Sequence, residues 1–147
     1  MNPKSVLKTL PGERTTHHAT LIGFQRKINA PVNGYLYLNL VPRAGKKVDG
    51  VLISITIEEL EYLKKREPGY ECVDVSSSVE KKIDGTVYTF IAPHISHPKL
   101  RVPRSYLKTC LSIIPDVQKT RWLDETIIEN EIAEDLNAPV YANVALE

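Results

Sequence analysis

No stretch of this chain is apolar for long enough to cross a bilayer, and neither sign of charge dominates it. Lys and Arg number 19 against 18 Asp and Glu, a formal net charge of +1, with the two signs interspersed. Without a basic face there is no electrostatic footprint for nucleic acid or for an anionic membrane surface, so both are set aside as partners. Cysteine is scarce. Cys72 and Cys110 lie inside apolar segments and outside any C-x-x-C spacing of the metal or redox kind, so both are read as reduced core residues. The start, MNPKSVLKTL, lacks the apolar centre of a secretory signal, which leaves the cytoplasm as the expected compartment. There is no Gly-rich strand-to-helix turn of the dinucleotide or P-loop type, no internal repeat and no low-complexity tract.

What is present is a chain of 147 residues, 25% of them charged, long enough to bury most of its apolar surface as one domain spanning residues 1–147. Pro3, Val6, Leu7 and Leu10 suggest a short helix stopped by Pro11-Gly12. Strand-like runs follow at residues 18–28 (HATLIGFQRKI), 35–41 (YLYLNLV) and 51–56 (VLISIT), separated by PVNG and by AGKKVDG as turns. Residues 70–75 and 86–92 read as two more strands, with a hairpin turn at Asp84-Gly85. Tyr106, Leu107, Cys110, Leu111 and Ile114 have helical spacing within residues 103–114, closed by Pro115. A last, acidic helix is predicted over residues 124–135, with Ile127, Ile128 and Ile132 on one side. Together these predict an α+β fold, a small mixed or antiparallel sheet of barrel-like form with flanking helices.

One helix is marked at both ends. Thr56-Ile57-Glu58-Glu59 is a capping box, and Pro68-Gly69 ends the helix at about Glu67. At about 100° per residue, Glu67 projects between Leu60 and Leu63, on the stripe that faces the core. A carboxylate placed there is disfavoured by burial and by the negative end of the helix dipole, and both raise its proton affinity. A helix-end carboxylate turned to solvent, or one paired with Arg104 or Arg26, is the plainer reading of the same spacing.

The order of motifs resembles the gamma-glutamylcyclotransferase-like family. Val48-Asp49-Gly50-Val51-Leu52-Ile53, then Leu60-x-x-Leu63, then Arg66-Glu67-Pro68-Gly69-Tyr70 match its V-x-G-x-[VL] strand, L-x-x-L helix and E-x-G-x-Y-like turn. Ala19-Thr20-Leu21-Ile22-Gly23-Phe24, Val87-Tyr88-Thr89-Phe90 and Pro103-Arg104-Ser105-Tyr106-Leu107 match further strands and a helix start, the last with its Pro-to-Tyr spacing one residue short. The resemblance implies a small barrel-like α+β fold and cleavage of a gamma-glutamyl amide by internal cyclisation to 5-oxoproline, with no metal and no cofactor. It implies a small-molecule substrate, Glu67 as the proton relay, and Tyr70, Tyr88 and Tyr106 lining the pocket. Arg101 and Arg104 are candidates for holding a substrate carboxylate, since a guanidinium fork fits that group.

The family opens with a strand ending in Y-G-[ST]-[NL]-L, whose backbone amides hold the substrate, and this chain starts after that point. Either Met1 is an internal start or the turn is naturally lacking; the first is the expectation adopted. The chemistry asks for a base near the substrate amine. An ordinary Glu near pKa 4.3 facing an amine near 8 is mismatched by roughly 3.5 units, about 5 kcal/mol of proton-transfer cost, so only a desolvated carboxylate suits. His94-Ile95-Ser96-His97 and His17-His18 offer imidazole pairs, but no Cys or carboxylate falls at ligand spacing beside them, which argues against zinc.

Overall fold

The computed structural model describes Leu10 and residues 12–133. The helix expected ahead of Pro11 and the chain after Ala133 lie outside the described residues, apart from Leu10, which is buried.

The frame is one long antiparallel hairpin. Strand β1 (Thr16–Val32) pairs with β2 (Tyr35–Ile53) through a two-residue turn, Asn33-Gly34. Both turn residues have positive φ, 44° and 83°, as a type I′ turn requires, and its twist matches that of the flanking strands. Two irregularities interrupt the ladder. Between Ile22 and Phe24 the partner jumps from Lys47 to Pro42, with Gly23 and Gly45 both at positive φ. Between Ile28 and Ala30 the extra residue Asn29 bulges from β1.

The predicted turn at AGKKVDG is therefore corrected. Residues 35–41 and 51–53 do not form two strands but lie on one, β2, because residues 47–53 pair back onto residues 16–22 and the intervening segment with Gly45 is absorbed as a bulge; residues 54–56 lead into the next helix.

Helix α1 (Ile57–Arg66) begins with the predicted capping box: Glu59 N donates to Thr56 Oγ1 at 3.2 Å, and Thr56 N donates to Glu59 Oε2 at 2.8 Å. Arg14 adds a second hold on the Glu59 carboxylate. Leu60 and Leu63 are buried, and Leu63 packs with Leu10, Ile53, Ile55 and Phe90. Strands β3 (Glu71–Asp74) and β4 (Tyr88–Ile91) pair antiparallel. A helical turn, Ser76–Ser78, leads out of β3, where Ser76 Oγ takes the Val87 amide at 2.8 Å.

Strand β5 (Val102–Pro103) delivers helix α2 (Arg104–Ser112), which buries Tyr106 and Leu107. Helix α3 (Asp116–Asp124) follows Pro115 and buries Trp122. The predicted acidic helix over 124–135 does not form in its described part, residues 124–133. Thr126–Ile127 forms β6, parallel to β1, and Ile132–Ala133 forms β7, parallel to β5. The β-branched isoleucines there satisfy two sheet edges, and Asn130 between them ties its side-chain amide to the carbonyls of His97 and Leu100 at 2.9 and 2.8 Å. The result is α+β: a mixed three-stranded sheet ordered β2-β1-β6, two two-stranded sheets, and flanking helices.

The main core joins Ile28, Leu36, Val102, Leu107 and Trp122. Beside it Ala30, Tyr37, Ala92 and Tyr106 form a second cluster, against which Tyr70 and Cys110 pack. Arg26 is buried over the Trp122 ring, 5.3 Å from its centroid, and reaches Glu125 and Thr126 at 3.2 Å each. Arg26 is thus committed to Glu125. Both cysteines are free thiols and half-buried.

Candidate functional site

Glu67 caps α1 at its C-terminal end, with φ −111° and ψ 62°. Pro68 prevents the helix from continuing, and Gly69 takes φ 85°, the position a type II turn reserves for a residue without a side chain. That turn closes as Tyr70 N donates to Glu67 O at 3.1 Å. The backbone is thereby fixed on both sides of the carboxylate. Glu67 is half-buried; burial pushes its carboxyl above the ordinary range, and the neighbouring Arg66 guanidinium opposes this.

Two phenols meet the backbone of Leu38 on β2. Tyr70 Oη donates to Leu38 O at 2.9 Å, and Leu38 N donates to Tyr106 Oη at 3.2 Å. Leu38 pairs with Ile28 in the hairpin, so these are the groups it turns away from β1; the tyrosines take the place of a further strand there. Tyr106 also packs edge-on against Tyr37, with ring centroids 4.8 Å apart at 73°. Burial raises the Tyr70 phenol, and the Glu67 charge raises it further. Burial and the nearby Cys110 thiol likewise raise Tyr106. Both phenols stay protonated and serve as neutral hydrogen-bonding groups. Cys110, itself raised by burial, is held beside the Tyr106 hydroxyl.

Tyr70 and Tyr106 therefore meet at one point on β2, and Glu67 is joined to Tyr70 through the turn and through the effect of its charge on that phenol. Tyr88 stands apart: it lies at the start of β4 opposite Asp74, is 45% exposed, and its electrostatic neighbour is Lys64 on the outer side of α1. Arg104 is half-buried at the first position of α2, two residues before Tyr106. Arg101 is exposed, and its carbonyl takes the Leu36 amide at 3.0 Å.

The sequence reading passed over two buried amides. Asn39 is 3% and Asn29 6% exposed. The signal for Asn39 was available: it is the polar member of the Tyr35, Tyr37, Asn39 row, with both faces of that strand buried. Asn29 had none, because a bulge residue breaks the alternation that would have revealed it.

No protein-family profile matches this chain, and no curated protein matches it. Solved structures that resemble it include a protein titled gamma-glutamyl cyclotransferase, with a TM-score of 0.61 and 12% identity, covering 90% of this chain and 87% of that one. The fold is that of a gamma-glutamyl cyclotransferase. The solution structure of At5g39720.1 from Arabidopsis thaliana also aligns, with a TM-score of 0.51 and 24% identity over 82% of this chain and 85% of that one. Among the described residues no helix is long and apolar enough to cross a membrane.

Proposed function

We propose that this chain is a single-domain, metal-free and cofactor-free gamma-glutamyl cyclotransferase of the cytoplasm, with Glu67 as its general acid and base. The substrate is a small gamma-glutamyl amide, and neither nucleic acid nor membrane is a partner. Its α-amino group attacks its own γ-carbonyl carbon. A ring C–N bond forms, the original amide C–N bond breaks, and the products are 5-oxoproline and a free amine or amino acid. Glu67 accepts the proton that the α-ammonium must shed and delivers it to the departing nitrogen; the second proton, lost as the attacking nitrogen becomes the ring N–H, ends on the released amine as its ammonium. Holding nucleophile and electrophile in one bound molecule makes the step unimolecular, so the protein chiefly folds the substrate and relays protons.

The observation that carries this reading is a half-buried carboxylate at the rigid end of α1, raised by burial and set beside Tyr70 in a cyclotransferase fold. Raised affinity narrows the mismatch with an amine, which is what a working base needs. Tyr70 and Tyr106 shape the floor of the substrate site, because their hydroxyls are already committed to Leu38. Tyr88 binds at the rim, and Arg104 takes a substrate carboxylate.

The test is incubation of the purified protein with a panel of gamma-glutamyl amines and gamma-glutamyl dipeptides, with 5-oxoproline measured directly. Formation of 5-oxoproline from at least one member supports the assignment; none from any member removes it.

A further inference from the structure

The loop over residues 93–100 carries two histidines that the proposed reaction does not use. It forms one wall of a cavity of about 230 Å³ whose lining includes Lys27, Asn29, His94, Ser96, His97 and Glu129, and none of Glu67, Tyr70 or Tyr106. At about 30 Å³ per water, that space equals roughly seven or eight waters.

The wall is tied into the core by a chain of amides whose orientation is forced. Asn39 Oδ1 accepts the backbone amides of Leu40 and Ala92, each at 2.9 Å. Its Nδ2 must therefore donate, and does so to Ala92 O at 3.1 Å and Asn29 Oδ1 at 2.9 Å. That turns Asn29 Nδ2 toward His94 Nδ1 at 3.1 Å. His94 Nδ1 is thus an acceptor, and the neutral ring carries its proton on Nε2. At the other end of the loop, Asn130 holds His97 O and Leu100 O.

The charges are layered. Lys27 Nζ meets Glu129 Oε2 at 2.8 Å, with side chains 15% and 64% exposed respectively. The carboxylate sits at the mouth and is neutralised there, while the ammonium lies deeper with three donors, one of them spent on Glu129. His97 Nε2 is buried with no hydrogen-bond partner among the described residues. A buried polar atom left so is costly unless something else satisfies it. A shared metal is the competing explanation for two imidazoles and a carboxylate, but among the described residues no three such groups stand close enough to hold an ion.

We propose that this cavity is a second small-molecule site, which takes a compact oxyanion, a carboxylate or phosphate group, on Lys27 Nζ and His94 Nε2–H, with His97 in its wall. An amine is disfavoured, since the carboxylate lining the cavity is already paired at its rim. The site is separate from Glu67 and does not depend on the cyclisation chemistry.

The test is NMR titration of the isotope-labelled protein with sodium phosphate in one arm and sodium acetate in the other, at fixed ionic strength. Saturable shifts at Asn29, His94, Ser96 and His97 are expected in at least one arm, and the arm that saturates names the anion. Affinity falls at least tenfold in both Lys27→Met and His94→Gln and is unchanged in Glu67→Gln. Absence of saturation in both arms overturns the proposal, as does full affinity in either variant. If one variant loses its dispersed spectrum, the other decides.

Discussion

The hydroxyl of Tyr70 donates to the carbonyl oxygen of Leu38 at 2.9 Å. This bond links the turn that carries Glu67 to the hairpin frame, so the candidate base is positioned by the sheet as well as by its own helix. Tyr106 completes the arrangement from α2 by accepting the amide of the same residue.

Removing the Tyr106 hydroxyl leaves the Leu38 amide without its partner in a part-buried position. Tyr106→Phe is expected to cost about 1–3 kcal/mol, read as a lower urea midpoint with an unchanged m-value. Tyr70→Phe is expected to cost less, about 1 kcal/mol, because a carbonyl tolerates loss of a donor better than an amide tolerates loss of its acceptor. Equal stability of both variants and the wild type would contradict the assigned bonds.

Asn39→Ala strips partners from two backbone amides and one carbonyl at once. A loss of about 2–4 kcal/mol is expected from the buried groups left unsatisfied, together with faster amide exchange at Leu40 and Ala92. Exchange at those two amides as slow as in the wild type would count against the network.

Glu59 is held by Arg14 first and then by the Thr56 amide, which depress its carboxyl from an ordinary value near 4.5 to about 2. A depressed folded value means that the stabilisation is fully present above the unfolded value and lost as pH falls through the window from about 4.5 to about 2. Thermal melts of the wild type across that window are expected to fall more steeply than those of Glu59→Gln. Parallel curves would show that the pair contributes nothing to acid stability.

The sign reverses at Glu67. Its folded value is raised, so its contribution favours folding below the ordinary value near 4.5 and is lost as pH rises through the folded value. Glu67→Gln therefore removes a desolvated charge at neutral pH and is expected to melt at the wild-type temperature or above at pH 7.5, with the difference shrinking at pH 4. A clear drop in melting temperature at pH 7.5 would mean that Glu67 serves the fold instead.

Local signals in the sequence located the parts that local chemistry controls. Thr56 and Glu59 announce the start of α1, Pro68 and Gly69 its end, and the spacing of Leu60 and Leu63 its buried face. Where partners distant in sequence decide, the pattern misled. Gly45 and Gly50 read as a turn, but pairing of residues 47–53 with residues 16–22 keeps Gly50 in β2 and leaves Gly45 in a bulge. Helix α3 escaped notice because Trp122 is its sole buried side chain while Val117 is 91% exposed, leaving no apolar stripe to see. Ile127, Ile128 and Ile132 do repeat at a helical interval; the edges of β1 and β5 recruit that segment as strands. The gathering of Tyr70 and Tyr106 on Leu38, with Tyr88 left on the outer side, depends on strand register, which no local motif encodes.

The most direct test of the central assignment compares 5-oxoproline production by the wild type and Glu67→Gln on the best gamma-glutamyl substrate, across pH 5 to 9. The account predicts wild-type turnover whose acid limb lies above the ordinary carboxylate range, and a loss of at least about 10²-fold in the variant with its fold intact, in keeping with removal of a general acid and base. Turnover by folded Glu67→Gln at the wild-type rate would contradict it.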